Sequence, residues 1–198
     1  MSTQNTPLTE LILKNRTYRR FDQSVKVGED TLLRIIDTVR TLSSARNAQP
    51  LKYILVSTEE GCETVFANIM WAGALPEWPG PAEGEKPTAY IIPFRDNKVS
   101  KDELWDLGIA TEAISLLAVE AGFGCCQFGA VRFKDLTAAL GVTDENLEMR
   151  CVIAIGKPVE NVSIVDMPES GAFQYYRDEE MNHYTPKRAL EDIIIDKI

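Results

Sequence analysis

Helical and strand patterns alternate along this chain, which predicts a mixed helix-and-sheet domain, α+β or α/β. Three observations carry that reading. Apolar stripes at helical spacing recur near residues 8–15, 29–41 and 102–121. Short β-branched runs stand at 53–56, 90–92 and 150–155. The 198 residues suit one domain, and with 44% hydrophobic and 26% charged residues the chain has enough apolar surface to bury a single core.

The elements follow in order. Thr6-Pro7 reads as a helix cap and first helical position, and Leu8, Leu11 and Ile12 continue a helix predicted to run to about Asn15. Leu32, Ile35, Ile36 and Val39 form the apolar stripe of a second helix over 29–41. Tyr53 to Val56 suits a buried strand, and residues 62–71 then look helical. Four prolines and two glycines between residues 74 and 87 break the pattern and predict a loop. Within it, Trp78 reads either as a lid or dimer contact or as a tryptophan pinning the loop to the core.

Residues 90–92 form a further predicted strand, and 102–121 a long helix with Leu104, Leu107, Thr111, Ile114, Ala118 and Ala121 on one face. Residues 125–129 read as a strand end or turn, 134–140 as a short helix closed by Gly141, and 150–155 as a buried strand. From about Val159 the chain turns polar and aromatic, with Tyr175, Tyr176 and Tyr184. Such a segment cannot form a core alone and is expected to lie on a neighbour.

Composition removes several function classes. A formal charge of -9 would repel a polyanion, which argues against nucleic acid. Met1 to Asn5 lacks a positive leader and an apolar h-region, and the apolar stretch 114–126 is cut by Glu120, so a cytoplasmic, unprocessed protein without a membrane span is expected. Cys62, Cys125, Cys126 and Cys151 show no C-x-x-C spacing, and adjacent cysteines do not bridge without strain; reduced, buried thiols are expected. A single histidine, His183, is too few for a zinc site or a histidine-dependent triad.

Three segments carry candidate chemistry. Arg16, Arg19 and Arg20 place cations close together, where a planar guanidinium suits a phosphate, although a solvated basic turn balanced by Asp22 and Glu29 reads as well from the segment alone. Ser44, Asn47 and Gln49 put three neutral hydrogen-bonding groups in six residues before Pro50. Gly122, Gly124 and Gly129 follow a helix instead of a strand and do not make G-x-G-x-x-G, so a Rossmann reading fails.

Read together, Asn15-Arg16-Thr17-Tyr18-Arg19-Arg20-Phe21, Ser43 to Pro50, Gly122 to Gly129 and Pro186 to Glu191 resemble the nitroreductase family, in its short-chain branch. The likeness runs in order from Leu8 to Ile195. It implies an α+β, three-layer fold whose central, mostly antiparallel sheet is flanked by helices. It also implies a domain-swapped C2 homodimer whose C-terminal arm, from about residue 159, packs on the partner subunit. The implied cofactor is flavin mononucleotide (FMN), with NADH or NADPH as reductant and a small electron-poor acceptor. The family places the cofactor on residues matching Arg16, Thr17, Arg19, Ser44, Asn47, Gln49, Gln127, Phe128, Gly129, Lys187 and Arg188. Asn15, Ser43 and Leu51 stand where the family usually has arginine, proline and tryptophan. No protein nucleophile is expected, since the flavin ring carries the electrons. The alternatives are a flavin-binding protein with a regulatory or storage role, a specialised dehydrogenase, and a structural homodimer without cofactor.

Overall fold

The computed structural model describes residues 6–103 and 105–198; the reading of Met1 to Asn5 and the place of Leu104 on the long helix lie outside the described residues. Its centre is a six-stranded sheet of β1 (Phe21–Asp22), β2 (Leu51–Val56), β3 (Ala89–Asp96), β4 (Gly124–Phe128), β5 (Leu147–Met149) and β6 (Val152–Pro158). Every strand pairing in it is antiparallel: β2 runs the length of β3, β5 joins the far end of β3, and β6 pairs with β3, β4 and β1.

Period-two alternation decides what each face meets. Tyr90, Ile92 and Phe94 of β3 join Val152, Ala154, Cys126 and Phe128 on one face, covered by α3 (Glu59–Phe66) and α5 (Phe133–Ala139) through Val65 and Leu136. Ala89, Ile91, Ile153, Ile155 and Cys125 point the other way, onto α2 (Glu29–Val39) and α4 (Asp106–Glu120) through Leu32, Ile35, Ala110, Ile114 and Ala118. Because both faces are covered, the strands read as nearly continuous apolar runs, the usual mark of a buried sheet. The three layers and the antiparallel sheet are those the family resemblance implies. α1 (Pro7–Lys14) lies against α4 and buries none of its own residues fully.

One glycine brings the N-terminal segment onto the sheet. Tyr18 N donates to Cys125 O at 2.9 Å, and Thr17 bridges Cys125, so residues 17–18 lie flat along β4. A Cβ on Gly124 would meet the Tyr18 ring and sit 2.6 Å from Pro158 Cγ, which leaves room for hydrogen alone.

Beyond β6 the tail builds a second, three-stranded sheet: β7 (Val162–Asp166) runs parallel to β9 (His183–Lys187), and β8 (Tyr176–Arg177) antiparallel to it. This sheet is fastened to its own chain. Glu160 accepts from the Arg19 and Arg20 backbone N–H groups and, at 2.9 Å, from Arg177 Nη2. The Arg177 guanidinium lies 4.1 Å from the Trp78 ring centroid, so Trp78 pins the proline-rich loop. Within one chain, the segment as far as Lys187 is fastened to the body by these contacts. After it come α6 (Leu190–Ile193) and a terminus in which Leu190, Ile193, Ile194, Ile195 and Ile198 are exposed.

Candidate functional site

A cavity of about 380 Å³ opens where four distant segments meet: Asn15 to Thr17 after α1, Glu112 and Ser115 on α4, Cys125 and Gln127 on β4, and Thr185 and Lys187 on β9. Arg16 enters it with one nitrogen committed, Nη2 donating 2.6 Å to Ile12 O, while its buried Nε has no partner. Gln127 Nε2 donates to Thr111 O at 3.3 Å and Ser115 Oγ at 3.2 Å. The backbone carbonyl fixes which end of the amide faces α4, so Oε1 is left as an acceptor for the cavity. Asn15 Nδ2 donates to Glu112 Oε1 at 3.1 Å.

A second, smaller cavity of about 200 Å³ lies among Val39, Ser44, Gln49, Tyr53 and Asp106. Its rim is a loop with a 3₁₀ turn at Ala45–Asn47, in which Arg46, Asn47 and Gln49 take φ of 55°, 55° and 52°. Non-glycine residues in the left-handed region cost energy and persist where surroundings hold them. Here the holder is Asp106, at the start of α4, which accepts from Ser44 Oγ at 2.6 Å and Ala45 N at 2.8 Å. Ser44 Oγ in turn accepts from Gln49 N at 2.8 Å, and Gln49 Nε2 donates to Asn47 Oδ1 at 3.1 Å.

The structure therefore gathers Arg16, Thr17, Gln127 and Lys187 around one cavity and Ser44 and Gln49, with Asn47 between them, at another. Arg19 does not line the first cavity. Its guanidinium stacks 4.2 Å from the Tyr175 ring centroid and donates to His183 Nε2 at 3.3 Å, on the side of the tail sheet. The Phe128 ring is likewise turned into the core, 4.7 Å from Trp71 centroid to centroid, so only its backbone is available to a ligand. Gly129 and Arg188 are exposed beside β4 and β9, outside both cavities. Glu112, Ser115, Thr185 and Asp106 were not readable as site residues, and the helix predicted over 102–121 put Asp106 inside it, where the structure begins α4.

The His183 environment has a thermodynamic consequence. The ring is buried, stacked on Tyr175 at 5.1 Å, and accepts from Arg19, so it is neutral. Burial, with the Arg19 and Arg177 charges, pushes its pKa down to about 4. In the unfolded chain the imidazole titrates near 6.5, so between these values the unfolded state binds the extra proton. Stability is expected to fall as pH drops from about 6.5 towards 4, by up to about 1.4 kcal/mol per pH unit. As His183 is the sole histidine, urea denaturation across pH 5 to 6.5 should show this slope in the parent and a flatter one in His183→Gln.

The model of the nitroreductase family matches residues 12–157. The chain belongs to the nitroreductase family. No curated protein gives a significant match to it. Among solved structures, this nitroreductase family protein is similar to an FMN complex from Desulfovibrio desulfuricans, with 17% identity, TM-score 0.71, and 98% of this chain and 99% of that one covered. It is also similar to a nitroreductase family protein from Clostridium novyi NT, at 27% identity and TM-score 0.63, over 77% of this chain and 87% of that one. A third is CLA-ER, an enone reductase of gut-bacterial fatty acid saturation, at 19% identity and TM-score 0.65, over 78% and 90%. The match to the family ends within β6, so Thr185 and Lys187 enter the cavity from beyond it. Among the described residues, no helix of this chain is long and apolar enough to cross a membrane.

Proposed function

We propose that the chain is an FMN-dependent oxidoreductase that uses NADH or NADPH to reduce nitroaromatics, quinones or related electron-poor acceptors, in ping-pong fashion. The observation that carries this reading is the larger cavity, where Arg16, Thr17, Gln127 and Lys187 converge. Its volume of about 380 Å³ lies in the range of small-molecule sites. The residues fit the cofactor chemically. The orphaned Arg16 Nε lacks an acceptor that an anion would supply, Lys187 adds a second cation, and Gln127 Oε1 offers an acceptor to a hydroxyl. The FMN-bound Desulfovibrio relative, alike over almost the whole chain, supports the choice of flavin.

In this reading Arg16, Thr17 and Lys187 hold the phosphorylated end, and Gln127 takes a hydroxyl of the ribityl chain. When bound, the flavin supplies reversible hydride chemistry at its ring, so the chain needs no nucleophile of its own. Ser44, Asn47 and Gln49 stand at a separate cavity in one chain, and a C2 homodimer would bring this loop from the partner over the flavin. The exposed Leu190, Ile193, Ile194, Ile195 and Ile198 would form the arm that reaches the partner.

Absorption of the desalted protein tests the cofactor: flavin bands are expected, and a colourless protein that takes up no added FMN would end the reading. Arg16→Ala is expected to weaken FMN binding about 10- to 100-fold, the loss of about 1.5–3 kcal/mol for a charge-assisted hydrogen bond. Fluorescence titration measures it, and unchanged affinity would remove Arg16 from the site.

A further inference from the structure

The charged lining of the larger cavity consists of Arg16 and Lys187 against Glu112, one net positive charge in all. A phosphate monoester carries about 1.5 to 2 negative charges near pH 7. A cavity made only to grip such a group would gain nothing from a carboxylate. Glu112 nevertheless stands on the second turn of α4, is exposed to the cavity, accepts from Asn15 Nδ2, and makes no ion pair among the described residues. Nor is Arg16 wholly available, since its Nη2 is taken by Ile12 O.

We propose that Glu112 is a specificity-determining residue for the flavin: it lowers the preference for the phosphorylated cofactor, so that FMN and riboflavin are discriminated far less than two cations alone would allow. The inference rests on the flavin reading above. A carboxylate can also accept from a ribityl hydroxyl, but FMN and riboflavin share those hydroxyls. The ratio of their affinities therefore isolates what Glu112 does to the phosphate. Like charges a few ångströms apart in a half-exposed site repel strongly enough to change binding by roughly tenfold or more, and salt screens that effect.

The experiment titrates FMN and riboflavin into the full chain and into Glu112→Gln, both freed of flavin, by fluorescence quenching at low and high salt. The expected result is that Glu112→Gln binds FMN about tenfold or more tighter at low salt, that riboflavin changes less than about threefold, and that the FMN gain shrinks at high salt. Riboflavin binding also reports that the variant is folded. Equal changes for both flavins, or no change in either, would overturn the assignment while leaving the flavin site in place. If neither protein takes up either flavin, the cofactor reading falls and takes this inference with it.

Discussion

Glu160→Ala is expected to destabilise the protein by about 3–5 kcal/mol, the range found when one partner of a buried ion pair is removed. The Glu160 side chain is fully buried and its partner Arg177 nearly so. Truncation would leave the Arg177 guanidinium, whose Nε and Nη1 already lack partners, as an uncompensated buried cation above Trp78. It would also strip the acceptor from the backbone N–H groups of Arg19 and Arg20, one residue beyond Arg16 and Thr17, with Tyr18 between. The damage should therefore reach the cavity, and FMN affinity should fall in a variant that is still folded at low temperature. Glu160→Gln keeps the shape and loses the charge, and should lie between the parent and the alanine variant. Urea denaturation gives the stability and flavin titration the affinity. A loss below about 1 kcal/mol for alanine would show that the tail sheet is held mainly by its own strand pairing.

Asp106→Ala is the second large effect. Two hydrogen bonds to a buried carboxylate would be lost, worth about 2–3 kcal/mol together with the unpaired Ser44 and Ala45 donors they leave. The loop would then keep three left-handed, non-glycine residues held only by its own internal hydrogen bonds, and it is expected to relax. In the proposed homodimer that loop covers the partner's flavin, so affinity and turnover should fall with stability. Asp106→Asn retains one acceptor and should recover part of each. The separating result is a variant that loses stability but binds FMN as the parent does; the loop would then be a structural feature and no part of the flavin site.

The strands were readable from their apolar runs: β2 and β3 contain the marked segments 53–56 and 90–92, and β6 takes up 150–155 from Val152 onward. Their neighbours were harder. Gly124-Cys125-Cys126 has the small residues of a turn, yet becomes β4 because β6 lies beside it with five residues in register. α3 stops at Phe66 instead of running to Trp71, since Ile69 leaves to bridge Val131 and Trp71 packs on Phe128. Both are tertiary overrides of a local pattern. The long helix begins at Asp106, later than the apolar pattern alone suggested. At the site, Arg16 was readable as a cation in family order; at the other end the motif favoured Arg188 over Lys187, and it is Lys187 that lines the cavity. The direction of the Arg19 side chain was not readable, because it is set by Tyr175 and His183 more than 150 residues away. Glu112 gave no signal at all, being one acidic residue on a helix that packs small residues.

The placement of β9 has a consequence for the order in which the protein is made. All six strands of the central sheet lie between Phe21 and Pro158, so a nascent chain of that length already holds both apolar faces and the helices that cover them. Three walls of the cavity are present by then, but Thr185 and Lys187 are not, and neither is Glu160 to hold the Arg19 and Arg20 backbone. Synthesis from the N-terminus thus yields a collapsed body before it yields a complete binding site. On the proposed flavin reading, cofactor capture becomes an event of late translation, and a ribosome that stalls after β6 leaves a core without a complete site for the flavin.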